Sequence, residues 1–153
     1  MSTTPRAEDA LIVPCAACGA LNRVPTARLR DVPICSDCRA RLLGAAPAQL
    51  KTASFDRFVG RAGLPVAVDF WAPWCGPCRT MAPHFAAAAE PLATTALLAK
   101  VDTEANPELG QRFEIRGLPT MVLFVGGREV ARVSGAMARD AIVQWVESNV
   151  GAL

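Results

Sequence analysis

The chain has 153 residues, of which 52% are apolar and 20% charged, and it carries a net charge of +2. That balance excludes a disordered chain, and the length suits one domain plus an appendage. So small a charge gives no basis for nucleic acid or an anionic membrane as the principal partner, and no apolar run approaches the roughly eighteen residues of a spanning helix.

The chain opens MSTTPRAEDALIVP, where Glu8 and Asp9 precede only the short apolar run Leu11–Val13. This is not the pattern of a signal peptide. Residues 1–12 read as a flexible leader, and a reducing cytoplasm is the expected setting. In that setting the six cysteines point to ligands or catalysts rather than structural bridges. Cys15 and Cys18 form one CxxC pair and Cys35 and Cys38 a second, with sixteen residues between them. This spacing fits a four-thiolate zinc ribbon over residues 13–43, each pair biting one metal from a tight turn, for which Gly19 is suited. So short a segment cannot enclose a core able to fold alone and needs a staple. Two disulfides, or a second redox pair, are the alternatives. Arg23, Arg28, Arg30, Arg39 and Arg41 outnumber Asp31 and Asp37 here, but no aromatic residue lies in positions 1–50 to stack on bases. A solvated basic face is preferred over nucleic-acid contact.

Small residues from Gly44 to Gln49 read as a linker, taken as residues 44–50, with a short strand near Leu50 to Thr52. Ser54 is the expected N-cap of an amphipathic helix bearing Phe55, Phe58 and Val59, closed by Gly60 and Gly63. Val66, Ala67, Val68 and Phe70 form a buried strand that runs into the turn Trp74-Cys75-Gly76-Pro77-Cys78. A helix begins at Cys78 or just before it, contains Pro83, which kinks it, and ends at Pro91. Leu97 to Val101 is a second buried strand, and Asn106 to Phe113 a loop and helix. Thr120–Phe124 and Glu129–Val133 flank Gly126-Gly127, a hairpin signal. Arg139 to Val150 is a terminal helix with Ile142, Val143, Trp145 and Val146 on its apolar face. The order helix, strand, helix, strand, helix, hairpin, helix describes an α/β domain over residues 51–153, a central mixed sheet flanked by helices.

Cys75 and Cys78, three apart at a helix start, are roughly 5–6 Å apart at Cα and within disulfide reach. The helix N-terminus favours the thiolate of the first. Cys75 is therefore the nucleophile, expected to be the exposed member of the pair, and Cys78 the resolving thiol. A zinc site could use the same spacing. Asp69 shares its strand face with Ala67 and Trp71, so its carboxyl is buried, its pKa raised, and it can accept a proton from Cys78. The alternative is an aspartate at a strand end facing solvent. Trp74, on an exposed turn, forms part of a docking surface with Ala72, Pro73, Leu118 and Ala136, whereas Trp71 belongs to the core. His84 is the only histidine. It stands about 900° and roughly 13 Å along the helix from Cys75, which excludes a Cys–His nucleophilic pair and leaves it on the helix surface.

VDFWAPWCGPC, AKVDTEANPEL, IRGLPT and the Gly126-Gly127 pair together resemble the thioredoxin family, and the likeness extends from Lys51 to the C-terminus. It implies the thioredoxin fold and a cytoplasmic protein-disulfide reductase with no bound organic cofactor. Thioredoxin reductase, drawing on NADPH, would recharge it, and its clients would be proteins containing disulfides. The resemblance also implies that Lys100 pairs with Asp69, that Leu118-Pro119 is a cis bond facing Cys75, and that Gly117 and Gly135 leave room for a partner. Gly76 and Pro77 complete the binding turn, and Pro83 falls at a position where thioredoxins carry proline. The four-cysteine segment is similar to that of bacterial zinc-containing thioredoxins, a match strengthened by NRVP after the first pair. Arg79, where many members have lysine, and the alanine-rich run after His84 depart from the family pattern.

A zinc-dependent adaptor using the same fold as a scaffold is the alternative function, against which the intact CGPC and Asp69 weigh. An oxidant or isomerase is disfavoured by the expected cytoplasmic setting. A monomer is expected.

Overall fold

The run Val66–Trp71, apolar except for Asp69, becomes β4, the centre of a five-stranded sheet, in a computed structural model that describes residues 9–153. In chain order the elements are β1 (Ala10–Pro14), β2 (Leu21–Pro25), β3 (Ala48–Leu50), α1 (Thr52–Arg61), β4, α2 (Gly76–Ala87), β5 (Leu97–Asp102), α3 (Pro107–Arg112), β6 (Thr120–Val125), β7 (Arg128–Ser134) and α4 (Arg139–Gly151). The strand order is β3-β5-β4-β6-β7. β3, β5 and β4 run parallel, and β6 and β7 complete the sheet antiparallel. Strands covered on both faces have no polar side to alternate with, which is why β4 is apolar at every position but Asp69. Gly126 and Gly127 join β6 to β7 with φ of +59° and +81°, a turn that needs positive φ at both positions.

The two faces of the sheet bury different helices. Ala67, Leu98, Met121 and Leu123 pack against Met81 and Phe85 of α2 and Ile142 and Val146 of α4. Val68, Phe70, Val101 and Phe124 pack on the other face against Phe55 and Phe58 of α1 and Leu109 of α3. Phe113 closes that side, its ring centroid 5.2 Å from both Phe55 and Phe124. Each fully buried phenylalanine contributes on the order of 2 kcal/mol.

β1 and β2 form a separate antiparallel hairpin whose residues enter this second core. Val13, Val24, Leu42 and Leu43 are continuous with Phe55 and Phe58. Of the leader expected at 1–12, residues 1–8 lie outside the described part, whereas Ala10, Leu11 and Ile12 are paired in β1. The linker expected at 44–50 likewise ends in structure. Ala48 to Leu50 form β3 against β5, with Ala48 and Leu50 buried, so the short strand lies two residues ahead of its expected position.

Ser54 is not the N-cap of α1. The helix starts at Thr52, because the Thr52 N–H donates to Asn106 Oδ1 at 3.0 Å while Ser54 Oγ reaches back to accept from the Lys51 N–H at 3.0 Å. α2 stops at Ala87, short of Pro91, where the Ala88 and Ala89 N–H groups turn to carbonyls three residues back and tighten the chain.

Candidate active site and metal centre

β4 delivers the chain to a turn at which α2 begins, and Cys75 occupies the N-cap of that helix. Its Sγ accepts the Cys78 N–H at 3.2 Å, so one of the unpaired donors of the helix end is aimed at the sulfur. Together with the helix dipole this favours a thiolate at Cys75. Cys75 and Cys78 are joined as a disulfide with Cα atoms 5.2 Å apart, and neither sulfur is tied to the other cysteines. Cys75 was expected to be exposed. In this oxidised form it is buried at 5% exposure, against 2% for Cys78, because Ala72, Trp71 and Leu118 close around the pair. Ala72, expected on the docking surface, is also fully buried.

Asp69 has no exposed surface, and neither carboxylate oxygen has a hydrogen-bond partner among the described residues. Burial pushes its pKa up to about 7, and the charge of Lys100 acts in the opposite direction. The two stand side by side in the register of β4 and β5, on the sheet face that also carries α2. Lys100 makes no ion pair closer than 4 Å with Asp69. Its Nζ instead lies 4.6 Å from the centroid of Trp71, which is half-buried rather than wholly in the core.

Facing the disulfide, Leu118-Pro119 is a cis bond, and the Gly135 N–H donates to Pro119 O at 2.9 Å, linking the end of β7 to this loop. Gly135 has φ of +104°, which its backbone needs glycine to adopt. Nothing stands within 4 Å of a side chain built at Gly117, so its glycine leaves open space on this lip. Trp74 is 68% exposed. With Gly76, Pro77 and Leu118 it lines a groove of about 460 Å³ beside Cys75, to which Thr103, Ile115 and Arg116, not singled out from sequence, also contribute.

At the other centre, the Sγ atoms of Cys15, Cys18, Cys35 and Cys38 all lie within 4.8 Å of one another. Cys15 to Cys38 and Cys18 to Cys35 are both 3.6 Å. A disulfide needs about 2 Å, whereas four sulfurs about 2.3 Å from one tetrahedral zinc stand about 3.8 Å apart. The two turns match. The Gly19 N–H donates to Cys15 O at 2.8 Å and the Arg39 N–H to Cys35 O at 3.0 Å, with φ of +79° at Gly19 and +68° at Arg39. The Cys38 N–H, the Asn22 amide and the Asp37 N–H lower the Cys35 thiol to about 6. At Cys18 a backbone bond to Ala20 acts downward, but burial and the neighbouring Cys35, Cys38 and Cys15 outweigh it and raise the thiol to about 12. Four sulfurs this close do not all ionise without a cation among them, and the donor set fits zinc.

Residues 46–148 match the family described as thioredoxin. The chain belongs to the thioredoxin family. Its first part, residues 14–40, matches the family described as thioredoxin 2, N-terminal, a zinc ribbon. It is 44% identical over 140 residues to thioredoxin C-3 of Corynebacterium nephridii, covering 92% of this chain and 96% of that one. It is 38% identical over 102 residues to a thioredoxin of Rhodospirillum rubrum, covering 67% and 98%. A bifunctional thioredoxin reductase/thioredoxin of Mycobacterium leprae is 40% identical over 96 residues, 63% of this chain and 21% of that protein. As a member of this family the chain is a thiol–disulfide oxidoreductase, a protein-disulfide reductase.

Two contacts in this thioredoxin were not visible in the sequence. Asn22, on the buried side of β2 with Val24, donates to Cys35 Sγ at 3.5 Å and accepts the Ser36 N–H at 3.0 Å, bracing the second cysteine turn from the hairpin. A lone polar residue at an inward strand position was its only signal. His84 stays exposed on α2, as expected, and accepts the Arg139 N–H on Nδ1 at 3.2 Å, capping α4.

Proposed function

We propose that Cys75 is the attacking and Cys78 the resolving thiol of a cytoplasmic disulfide reductase. The carrying observation is the Cys78 N–H directed at Cys75 Sγ at the start of α2. In the reduced protein the Cys75 thiolate attacks one sulfur of a client disulfide, and the client's other sulfur leaves as a thiolate. Cys78 then gives up its proton, attacks Cys75 Sγ and releases the second client thiol, closing the Cys75–Cys78 bond. Asp69, buried on the α2 side of the sheet and raised to about 7, accepts that proton, and Lys100 limits how far its carboxyl is raised. Trp74, Gly76, Pro77, Gly117, Leu118, Pro119 and Gly135 receive an extended client segment, whose backbone pairs with the loop at Pro119.

Cys15, Cys18, Cys35 and Cys38 would hold zinc, which supplies a structural staple to the ribbon when bound. Free thiols that hold a metal are suited to a reducing compartment, which supports the cytoplasm. No helix among the described residues is long and apolar enough to cross a membrane. Thioredoxin reductase is the proposed electron donor, supported by a relative whose name joins the two activities in one protein.

Reduction of insulin disulfides, with thioredoxin reductase and NADPH or with dithiothreitol as the source of electrons, is the direct test. Turnover is expected from the wild type and none from Cys75→Ser, and equal activity of the two would end this assignment. Metal analysis of the reduced protein should find about one zinc per chain.

A further inference from the structure

Among the residues lining the groove beside Cys75, Arg116 alone is charged; the others are small, apolar or, like Thr103, neutral. Nearby arginines are occupied. Arg112 is paired to Asp56 at 2.9 Å and Arg132 to Glu129 at 2.6 Å. Glu114, two residues ahead of Arg116, exerts its field on Arg132. Arg116 has no carboxylate partner among the described residues, and no carboxylate lines the groove. Arg79, following Cys78, is a second exposed cation on the active-site helix. The adjoining Gly117 offers no side chain, so a segment laid along Leu118 and Pro119 passes Arg116 unobstructed.

We propose that Arg116 is a specificity-determining residue that selects client segments carrying an aspartate or glutamate close to the reactive cysteine, an inference that rests on the disulfide-reductase reading above. Arg116 and Cys75 line the same groove, so the carboxylate that Arg116 meets belongs to a residue near the client cysteine along an extended segment. The guanidinium fork donates to both carboxylate oxygens, whereas a lysine at the same client position meets like charge. Charge complementarity on an exposed lip acts on encounter and register. The transfer of electrons remains that of Cys75 and Cys78.

The test uses two disulfide-bonded peptides identical except for Glu or Lys next to the target cysteine, reduced by the full chain with dithiothreitol as electron source. The wild type should prefer the Glu peptide by about fivefold to tenfold in kcat/KM at low ionic strength, and the preference should fall as salt is added. Arg116→Gln should bring the ratio near one, and Arg116→Glu should reverse it. Because each ratio is taken within one variant, a general loss of folded protein cancels. Equal rates on both peptides with the wild type, or a preference that survives Arg116→Gln, would overturn this proposal alone. Reduction of neither peptide by the wild type would overturn the reductase reading and this proposal with it.

Discussion

Asn22 reaches from β2 to Cys35 Sγ at 3.5 Å, and through its Oδ1 it also holds the Ser36 N–H at 3.0 Å. The two hydrogens of its amide are shared among Cys35 Sγ, Ala20 O at 3.1 Å and Val13 O at 3.4 Å, so one buried side chain ties the two cysteine turns together. Asn22→Ala strands the Ser36 N–H and removes a donor from a thiolate. The expected cost is about 2 kcal/mol, with metal affinity lowered about 10-fold to 100-fold. Competition against a chromogenic chelator reads this directly, and an unchanged competition curve would rule out the bracing role.

Asp69 makes stability depend on pH in a defined direction. Its carboxyl titrates at about 7 in the fold against an ordinary value of 3.8. Between those limits the folded chain holds a proton that the unfolded chain has released. Its contribution is therefore full below about pH 4 and lost as pH rises through about 7. Asp69→Asn removes the buried charge and should be more stable than the wild type above pH 8 by on the order of 3 kcal/mol, with the gap closing toward pH 4. Urea melts at acid, neutral and alkaline pH measure the gap. The same substitution should slow release of the mixed disulfide about 10-fold to 100-fold and flatten the pH dependence near 7. A gap that widens toward acid would refute the assignment of the raised carboxyl to Asp69.

Local signals in the sequence were reliable wherever the physics was local. The apolar run of β4, the Gly126-Gly127 turn and the paired cysteines each act within a few residues, and each appears where its spacing indicates. What escaped reading depends on residues distant in sequence. Asn106 Oδ1, 54 positions away, accepts the Thr52 N–H, and the N-cap of α1 is Lys51 rather than the expected Ser54. Arg116 became a groove residue only when the loop before β6 folded beside the turn at Cys75. Leu11 and Ile12 look like the end of a leader until Gly63 is seen against them.

The bond from the Arg139 N–H to His84 Nδ1 joins the active-site helix to α4. α4 has no capping side chain of its own, since Ala138 occupies its N-cap. Removing the imidazole by His84→Ala leaves one more unpaired donor at that end and should cost about 1 kcal/mol. His84→Gln retains an acceptor and should recover part of the loss. Hydrogen exchange in the first turn of α4 should quicken in the alanine variant. Protection there equal to that of the wild type would show that water replaces the cap without cost.

Gly63 stands where the N-terminal hairpin meets the thioredoxin domain. Its N–H donates to Ile12 O at 2.8 Å, and a side chain on it would stand 3.0 Å from Leu11 Cβ and 3.2 Å from the Ile12 nitrogen. Since its backbone does not need positive φ, the glycine is there for this close approach. Val13, Leu42 and Leu43 continue the core of Phe55 and Phe58, so the zinc proposed at the four cysteines and burial under α1 would stabilise one cooperative unit. Stripping zinc from the wild type should therefore lower the melting temperature of the whole chain, not of a separate ribbon. Gly63→Val forces the hairpin away, costs about 1–3 kcal/mol, and should split the calorimetric transition in two, only one of which responds to a chelator. A single transition in that variant, at the wild-type temperature, would mean that the hairpin accommodates the side chain and that Gly63 does not couple the two parts.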